Sequence, residues 1–319
     1  MIRRVLQLSL LSLCVMSANA PAQTFPSKPI RMVVPFGPGS ATDTIARMLA
    51  ERASKGLGTT FVVDNRPGAN GLIAAREVVN APKDGHTIII SSNSAHAANL
   101  YLYKDLGYDP VKDFSPIIGL TINPHVLVAR ATLPVQTLQE FIEYGRANSG
   151  KLNFGAGNTG SLANASLLQS LAGFKAVDVS YKSQPAAVVD LLGGRIDFLS
   201  VDYFMVNEHI RSGALKALAV TSKTSLKALP NVPAVSETLA GYELNGWIAA
   251  FAPAGTSAEA IARLNKAFAD VIRSPDFEAY MERQGMQGFV TTPQELGAFQ
   301  REQVAKWAEV LEKAGVPRQ

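Results

Sequence analysis

Five residues, Pro35-Phe36-Gly37-Pro38-Gly39, stand between an apolar run and a helix start, and they constrain the fold more than any other part of the chain. Ile30 to Val34 has the length and composition of a strand, and Pro35 and Pro38 then bar a continued ladder or a helix. Gly37 and Gly39 permit positive φ and close backbone approach. Ser40-Ala41-Thr42-Asp43 has the form of a capping box ahead of the apolar-periodic Ile45, Met48 and Leu49, so a helix is expected over Thr42 to Ser54. A strand that turns through glycines into a helix N-terminus leaves backbone N–H groups unpaired at the positive end of a helix dipole, which is an anion cradle. The plain alternative is an ordinary α/β connection that cradles water. A third reading, a dinucleotide fingerprint, takes Gly37-x-Gly39 with Asp64 at the end of Phe61 to Asp64 as the ribose acid. Against it, Thr42 holds the third glycine position and two prolines crowd the turn.

The same grammar recurs. Helix Leu72 to Asn80 and strand Thr87 to Ser91 complete a βαβαβ unit, in which Asn65 to Gly71 reads as a turn with Asp64 bonding local amides. A β-branched run from Ser115 to Ala129 is longer than an ordinary strand and is broken at Asn123-Pro124, as expected where a chain crosses between domains. A second unit follows: helix Thr137 to Asn148, strand Leu152 to Gly155, a glycine-rich turn Gly157-Asn158-Thr159-Gly160-Ser161, a helix through Leu171, strand Ala176 to Val179, helix Ala186 to Leu192, and strands Arg195 to Asp202 and Leu215 to Thr221. Tyr242 to Ala252 is the expected return crossover, and helices Ser257 to Arg273, Pro275 to Gln284 and Pro293 to Ala314 are expected to pack on the first domain. Each unit therefore carries one glycine-rich strand-to-helix turn. In open α/β sheets, ligands bind beyond the carboxyl ends of strands, so both turns are placed to face one cleft.

The N-terminus reads as a secretory signal peptide over residues 1–22. Arg3-Arg4 precede the apolar Val5 to Met16, and cleavage is expected after Ala20 or, preferably, Ala22. The apolar run is too short to span a bilayer, which takes about 20 residues. With Cys14 removed the mature chain holds no cysteine, which excludes disulfides, thiolate metal sites and a cysteine nucleophile. Loss of Arg3 and Arg4 takes Lys and Arg from 30 to 28 against 26 Asp and Glu, so the charge falls from +4 to +2. The basic residues are scattered, and no nucleic-acid partner is expected.

Catalytic and metal signatures are missing. His86, His96, His125 and His209 lie far apart, with no H-x-x-x-H spacing, and Ser161 follows Gly160 without a G-x-S-x-G elbow. Asp197 and Asp202 differ by an odd number of strand positions and so face opposite sides, each read as a surface or loop-end group. A secreted two-domain α/β chain without such groups suggests a binding protein that needs no cofactor.

Several segments together resemble a known family. They are Pro26-Ser-Lys-Pro-Ile-Arg-Met-Val-Val-Pro-Phe36, Asp43-x-x-Ala-Arg47, Asn65-Arg-Pro-Gly68, Asp84-Gly85, Tyr181-Lys182, Asp190-Leu-Leu-Gly-Gly194, Leu218-Ala-Val-Thr-Ser222, Leu229-Pro-x-Val-Pro233 and Ala252-Pro-Ala-Gly-Thr256. Across the mature chain these resemble the Bug-type solute receptors of tripartite tricarboxylate transporters. The resemblance implies an α/β, two-domain periplasmic binding protein (type II-like), each domain a mostly parallel sheet flanked by helices, with a ligand cleft between. It implies domain 1 over residues 23–123 plus 249–319 and domain 2 over 124–248, with hinges near Asn123 and Trp247. It further implies a monomer that carries a small carboxylic acid to a membrane permease.

The ligand-binding residues implied by position are Phe36, Gly37, Gly39, Ser40, Ala41, Thr42 and Asp43 in the first loop and Gly157, Asn158, Thr159, Gly160 and Ser161 in the second. Ser92, Asn93 and Asp202 match other cleft-lining positions. Three places depart from the family pattern: Ser40 stands where Gly is usual, Asn164 where His is common, and Ser183-Gln184 replaces a Gly-containing turn. Asn164 is a ligand reader or a helix-surface amide, and Lys182 a rim cation or a solvated side chain. The rival functions are a periplasmic enzyme acting on a carboxylate and a sensor subunit that presents its loaded form to a membrane kinase.

Overall fold

The computed structural model describes residues 25–318, so the signal-peptide segment lies outside the described residues. The chain runs through β1 (Ile30–Val34), α1 (Ala41–Leu57), β2 (Phe61–Asn65), α2 (Leu72–Val79), β3 (Thr87–Ser92), α3 (Asn99–Leu102) and β4 (Phe114–Asn123) before it enters a second sheet. There it forms β5 (His125–Arg130), α4 (Leu138–Ala147), β6 (Leu152–Ala156), α5 (Thr159–Ala172), β7 (Ala176–Ser180), α6 (Gln184–Leu192), β8 (Phe198–Asp202), α7 (Asn207–Arg211), β9 (Leu215–Val220) and α8 (Val235–Thr238). It returns through β10 (Gly246–Pro253), α9 (Ala258–Ile272), α10 (Pro275–Arg283), β11 (Gln287–Gly288) and α11 (Pro293–Lys313).

The first sheet has the order β11-β4-β10-β3-β1-β2 and the second β7-β6-β8-β5-β9. Both are mixed. β2-β1-β3 and β7-β6-β8 are parallel, as right-handed crossovers require, whereas β10 and β5 run antiparallel to the strands on both sides of them. The parallel half of each sheet is the part legible from strand-helix alternation. The antiparallel half is made by the strands that carry the chain between sheets.

Both faces of each sheet are covered, which is why β1, β3 and β10 read as nearly unbroken apolar runs. On one side of the first sheet Ile45 and Leu49 of α1 pack with Leu264 and Phe268 of α9. On the other, Ala74 and Val78 of α2 meet Trp307 and Leu311 of α11. α9 and α10 pack on the first sheet as expected. α11 goes further than expected: its Val310 and Ala314 also lie against the core of the second lobe, and Ser170 of α5 donates to the Lys313 carbonyl at 3.0 Å.

Two crossover segments connect the lobes and run side by side. Asn123 ends β4 opposite Gly246, the first residue of β10. The His125 N–H donates to Thr221 Oγ1 at 2.9 Å, and that hydroxyl donates to Asn245 Oδ1 at 3.2 Å. The lobes also touch across the cleft: a Cβ built on Gly37 would lie 3.6 Å from Ser183 Oγ. This is a closed arrangement.

Candidate functional site

The first loop is built by its own side chains. Gly39 has φ +81°, a left-handed conformation that glycine adopts without strain. Ser40 caps α1, its Oγ accepting from the Asp43 N–H at 3.3 Å. The Asp43 carboxylate accepts from the Gly39 N–H at 2.9 Å, from Asn65 Nδ2 at 2.9 Å and from Arg47 Nε at 3.1 Å, while Asn65 also donates to the Phe36 carbonyl. Burial pushes the Asp43 pKa up, but the bonds from Arg47, Gly39 and Asn65 prevail and hold it below the usual carboxylate value. Asp43 is therefore the clamp that shapes the loop. With Asp43 N–H on Ser40 Oγ and Thr44 N–H on the Ser40 carbonyl, the N–H groups of Ala41 and Thr42 are left for the cleft.

The second loop is shaped the same way: Asn158 caps α5, its Oδ1 accepting from the Ser161 N–H at 2.8 Å. Here, however, the helix start is sunk. Thr159 and Ser161 are fully buried, and the ring of His125 packs over Gly160. Gln184, at the start of α6, donates to Ser161 Oγ at 3.1 Å.

A small pocket lies between the lobes, lined by residues of both. Of the residues expected from sequence, Phe36, Ser40, Ala41, Thr42, Ser92, Asn93, Gly157, Asn158 and Asp202 line it. Gly37, Gly39, Asp43, Thr159, Gly160, Ser161 and Asn164 do not line it: Gly39 is exposed and Gly37 half-buried, whereas the other five are buried. Asn164 is neither a surface amide nor a lining group: it is buried, donates to the Gly160 carbonyl at 3.0 Å and accepts from Tyr242 Oη at 2.8 Å. Lys182 is exposed and lines an outer hollow, with Phe36 and Asn158 standing between it and the pocket.

Sequence reasoning missed Asn123, His125, Gln184, Gly246, Trp247 and Ile248, which also line the pocket. Asn123 and Trp247 were visible only as crossover residues. In the sequence His125 stands out only as one of four scattered histidines, and Gln184 only as part of a departure from a Gly-containing turn.

For two acidic residues the surface half of the expectation fails, although Asp202 does end its strand, β8. Asp197 and Asp202 are both buried rather than surface groups. Asp197 accepts from Arg130 Nε and the Asn153 N–H, each at 2.8 Å, and so fastens β5 to β6. Asp202 faces the pocket, 3.8 Å from His125 Nε2. Burial pushes the Asp202 carboxyl up to about 7, although the neighbouring Gln184 amide opposes this, and burial pushes the His125 imidazole down to about 4. Asp64 does not bond local amides. It accepts from Arg31 Nε at 2.8 Å and from Arg66, so it is committed to a cross-strand ion pair and is not poised for a ribose.

The pattern of the tripartite tricarboxylate transporter family receptor matches residues 45–316. The chain belongs to this family. It is 34% identical to Protein BugT of Bordetella pertussis over 94% of this chain and 93% of that protein. Among solved structures, R. palustris Rpa4515 with adipate is 30% identical, covers 92% of this chain and 100% of its own, and superposes with a TM-score of 0.90. MatC from Rhodopseudomonas palustris with bound malate is 30% identical, covers 90% of this chain and 100% of its own, with a TM-score of 0.85. The chain is thus a solute-binding receptor and not an enzyme, with the two-lobed α/β fold of those proteins.

Proposed function

We propose that this receptor captures a small organic acid in the periplasm, between the two glycine-rich turns, and delivers it to the permease of a tripartite tricarboxylate transporter. In this reading residues 1–22 are removed on export, and the lobes are residues 23–123 with 246–319 and residues 124–245, the return boundary drawn at Gly246 and not at residue 249 because β10 pairs with β4 from Gly246 onward. They hinge at the paired crossovers, Asn123–His125 and Asn245–Gly246. The observation that carries the proposal is the interlobe pocket itself: the start of α1 opens into it with two uncommitted N–H groups, and no lysine or arginine lines it.

Magnitudes require closure. A helix terminus contributes about 0.3–1 kcal/mol to holding an anion, whereas a micromolar ligand needs about 8 kcal/mol. Hydrogen bonds to a charged group contribute about 1.5–3 kcal/mol each, so several in a site from which water is excluded make up the difference. Ala41 and Thr42 N–H, the hydroxyls of Ser40, Thr42 and Ser92, and the amides of Asn93, Asn123 and Asn158 are the donors. The adipate and malate held by related receptors support a carboxylate as the ligand class.

Native mass spectrometry of the purified receptor, followed by calorimetry with mono-, di- and tricarboxylates, tests this. A retained acid or a micromolar Kd for one member of the panel is the expected result. Binding only of cationic or uncharged solutes overturns it.

A further inference from the structure

The pocket of an acid receptor holds an acid of its own. Asp202 ends β8 and faces the cleft with its side chain 7% exposed, and no lysine or arginine lines the pocket to offset its charge. The titratable groups of the lining are His125 and Asp202 alone. The rest of the polar lining is neutral: the start of α6 brings Gln184, the second loop brings Asn158, and the first lobe brings Ser40, Thr42, Ser92, Asn93 and Asn123. Between His125 Nε2 and Asp202 Oδ1 the 3.8 Å separation is too long for a hydrogen bond, and His125 Nδ1 is turned to Ser200 Oγ at 3.1 Å. Two buried polar atoms of the lining have no partner in the protein: Asn123 Nδ2, a donor, and Gln184 Oε1, an acceptor. Two carboxylates that share a dry site cannot both stay ionised at little cost.

We propose that Asp202 is a neutral carboxylic acid in the liganded receptor and donates its proton to a carboxylate oxygen of the bound acid, so that each ligand enters together with one proton from solvent. The proposal rests on the carboxylate reading above. The only covalent change is a protonation: the ionised Asp202 of the open receptor takes a proton from the acid form of the buffer, which is left as its conjugate base, and its O–H then donates to the ligand. Burial supports this, since it raises Asp202 toward neutrality and keeps His125 uncharged, so the site's proton belongs to the acid and not to the imidazole. The competing assignment is an ionised Asp202 that pairs with an ammonium group of an amino-acid ligand.

The sign follows from linkage. Below the pKa of Asp202 in the free receptor the proton is already present and affinity is flat. Above it, binding must take up the proton, and the association constant falls toward about tenfold per pH unit. The test is calorimetry of adipate and malate from about pH 6 to about pH 8.5, in pairs of buffers with different ionisation enthalpies, on the wild type and on Asp202→Asn. Asparagine keeps a donor at that position but cannot ionise.

The expected result is proton uptake rising toward one per ligand in the wild type, and a Kd that weakens on the order of tenfold or more across the range. Asp202→Asn loses that slope and binds on the order of tenfold tighter than wild type at the alkaline end. Absence of proton uptake by the wild type overturns the proposal. So does complete loss of binding in an Asp202→Asn protein that melts like the wild type. Failure of every carboxylate in the panel to bind the wild type overturns the carboxylate reading itself.

Discussion

Gly157 lies flat against the backbone of Gln184: a Cβ built on Gly157 would stand 2.4 Å from the Gln184 nitrogen and 2.5 Å from its Cα. The obstacle is main chain, so it cannot rotate away as a side chain would. This contact is what brings the Ser183–Gln184 turn, and with it the pocket face of α6, up to the second glycine-rich loop. Gly157→Ala is expected to destabilise the protein by about 1–3 kcal/mol, as overpacking does, and to abolish ligand binding. Gly56→Ala is the control, because a Cβ there meets nothing within 4 Å. That change adds helix propensity and is expected to stabilise by up to about 1 kcal/mol with affinity unchanged. Urea melts and calorimetry on the two variants decide the matter, and a Gly157→Ala protein that binds normally contradicts it.

Asp43 determines the shape of the first loop without touching the cleft. Its carboxylate gathers Gly39, Asn65 and Arg47, so Asp43→Ala is expected to cost about 1.5–3 kcal/mol of stability and to weaken ligand binding by loosening Ser40 to Thr42. The folded pKa of Asp43 is depressed, so its stabilisation is complete above the unfolded carboxylate value of about 3.9 and is lost as pH falls through the lower folded value. The stability gap between wild type and Asp43→Ala should therefore be constant above about pH 5 and shrink below about pH 4. A gap that persists undiminished to lower pH would exclude the charge as its source.

These two residues also mark how far the sequence could be read. Ser40 and Asp43 announce a helix start by their spacing, so the loop and α1 were legible, and so were both glycine-rich turns and the break at Asn123-Pro124. Local rules fix such features, since they concern groups a few residues apart. What no local rule supplies is which lobe residues meet. Gln184 reaches the pocket because Gly157 has no side chain, and His125 reaches it because β5 runs between β8 and β9. The sinking of Thr159 to Ser161 beneath that pair has the same origin. Asp202 is the middle case: its place at a strand end was legible, but its burial beside His125 and Gln184 was not.

Tyr242 holds the second loop from behind. Its hydroxyl donates to the carbonyl of Asn164 at 2.9 Å and to its Oδ1 at 2.8 Å, and Asn164 in turn donates to the Gly160 carbonyl. Tyr242→Phe leaves the buried Asn164 Oδ1 without that donor, at a cost of about 1–3 kcal/mol. Hydrogen exchange should then quicken at the start of α5 and leave α1 unaffected. Uniform acceleration in both lobes would mean that Tyr242 supports the whole molecule and not this loop.

Trp247 sits where a hinge and a ligand can both be sensed. It lines the pocket, its N–H donates to Asn93 Oδ1 at 3.3 Å, and its indole Nε1 donates to Gln303 at 3.2 Å. The other tryptophan of the chain, Trp307, is fully buried in the first lobe away from the cleft. Ligand binding should therefore change the emission of Trp247 and leave that of Trp307 alone. The change should vanish in Trp247→Phe and survive in Trp307→Phe, provided each variant is shown by its melting curve to be folded. Because Gly246 pairs with Asn123 at the crossover, a change in Trp247 emission also reports closure. If the signal follows Trp307 instead, the ligand is not bound between these lobes at the end of β10, and the pocket assigned here is not the site.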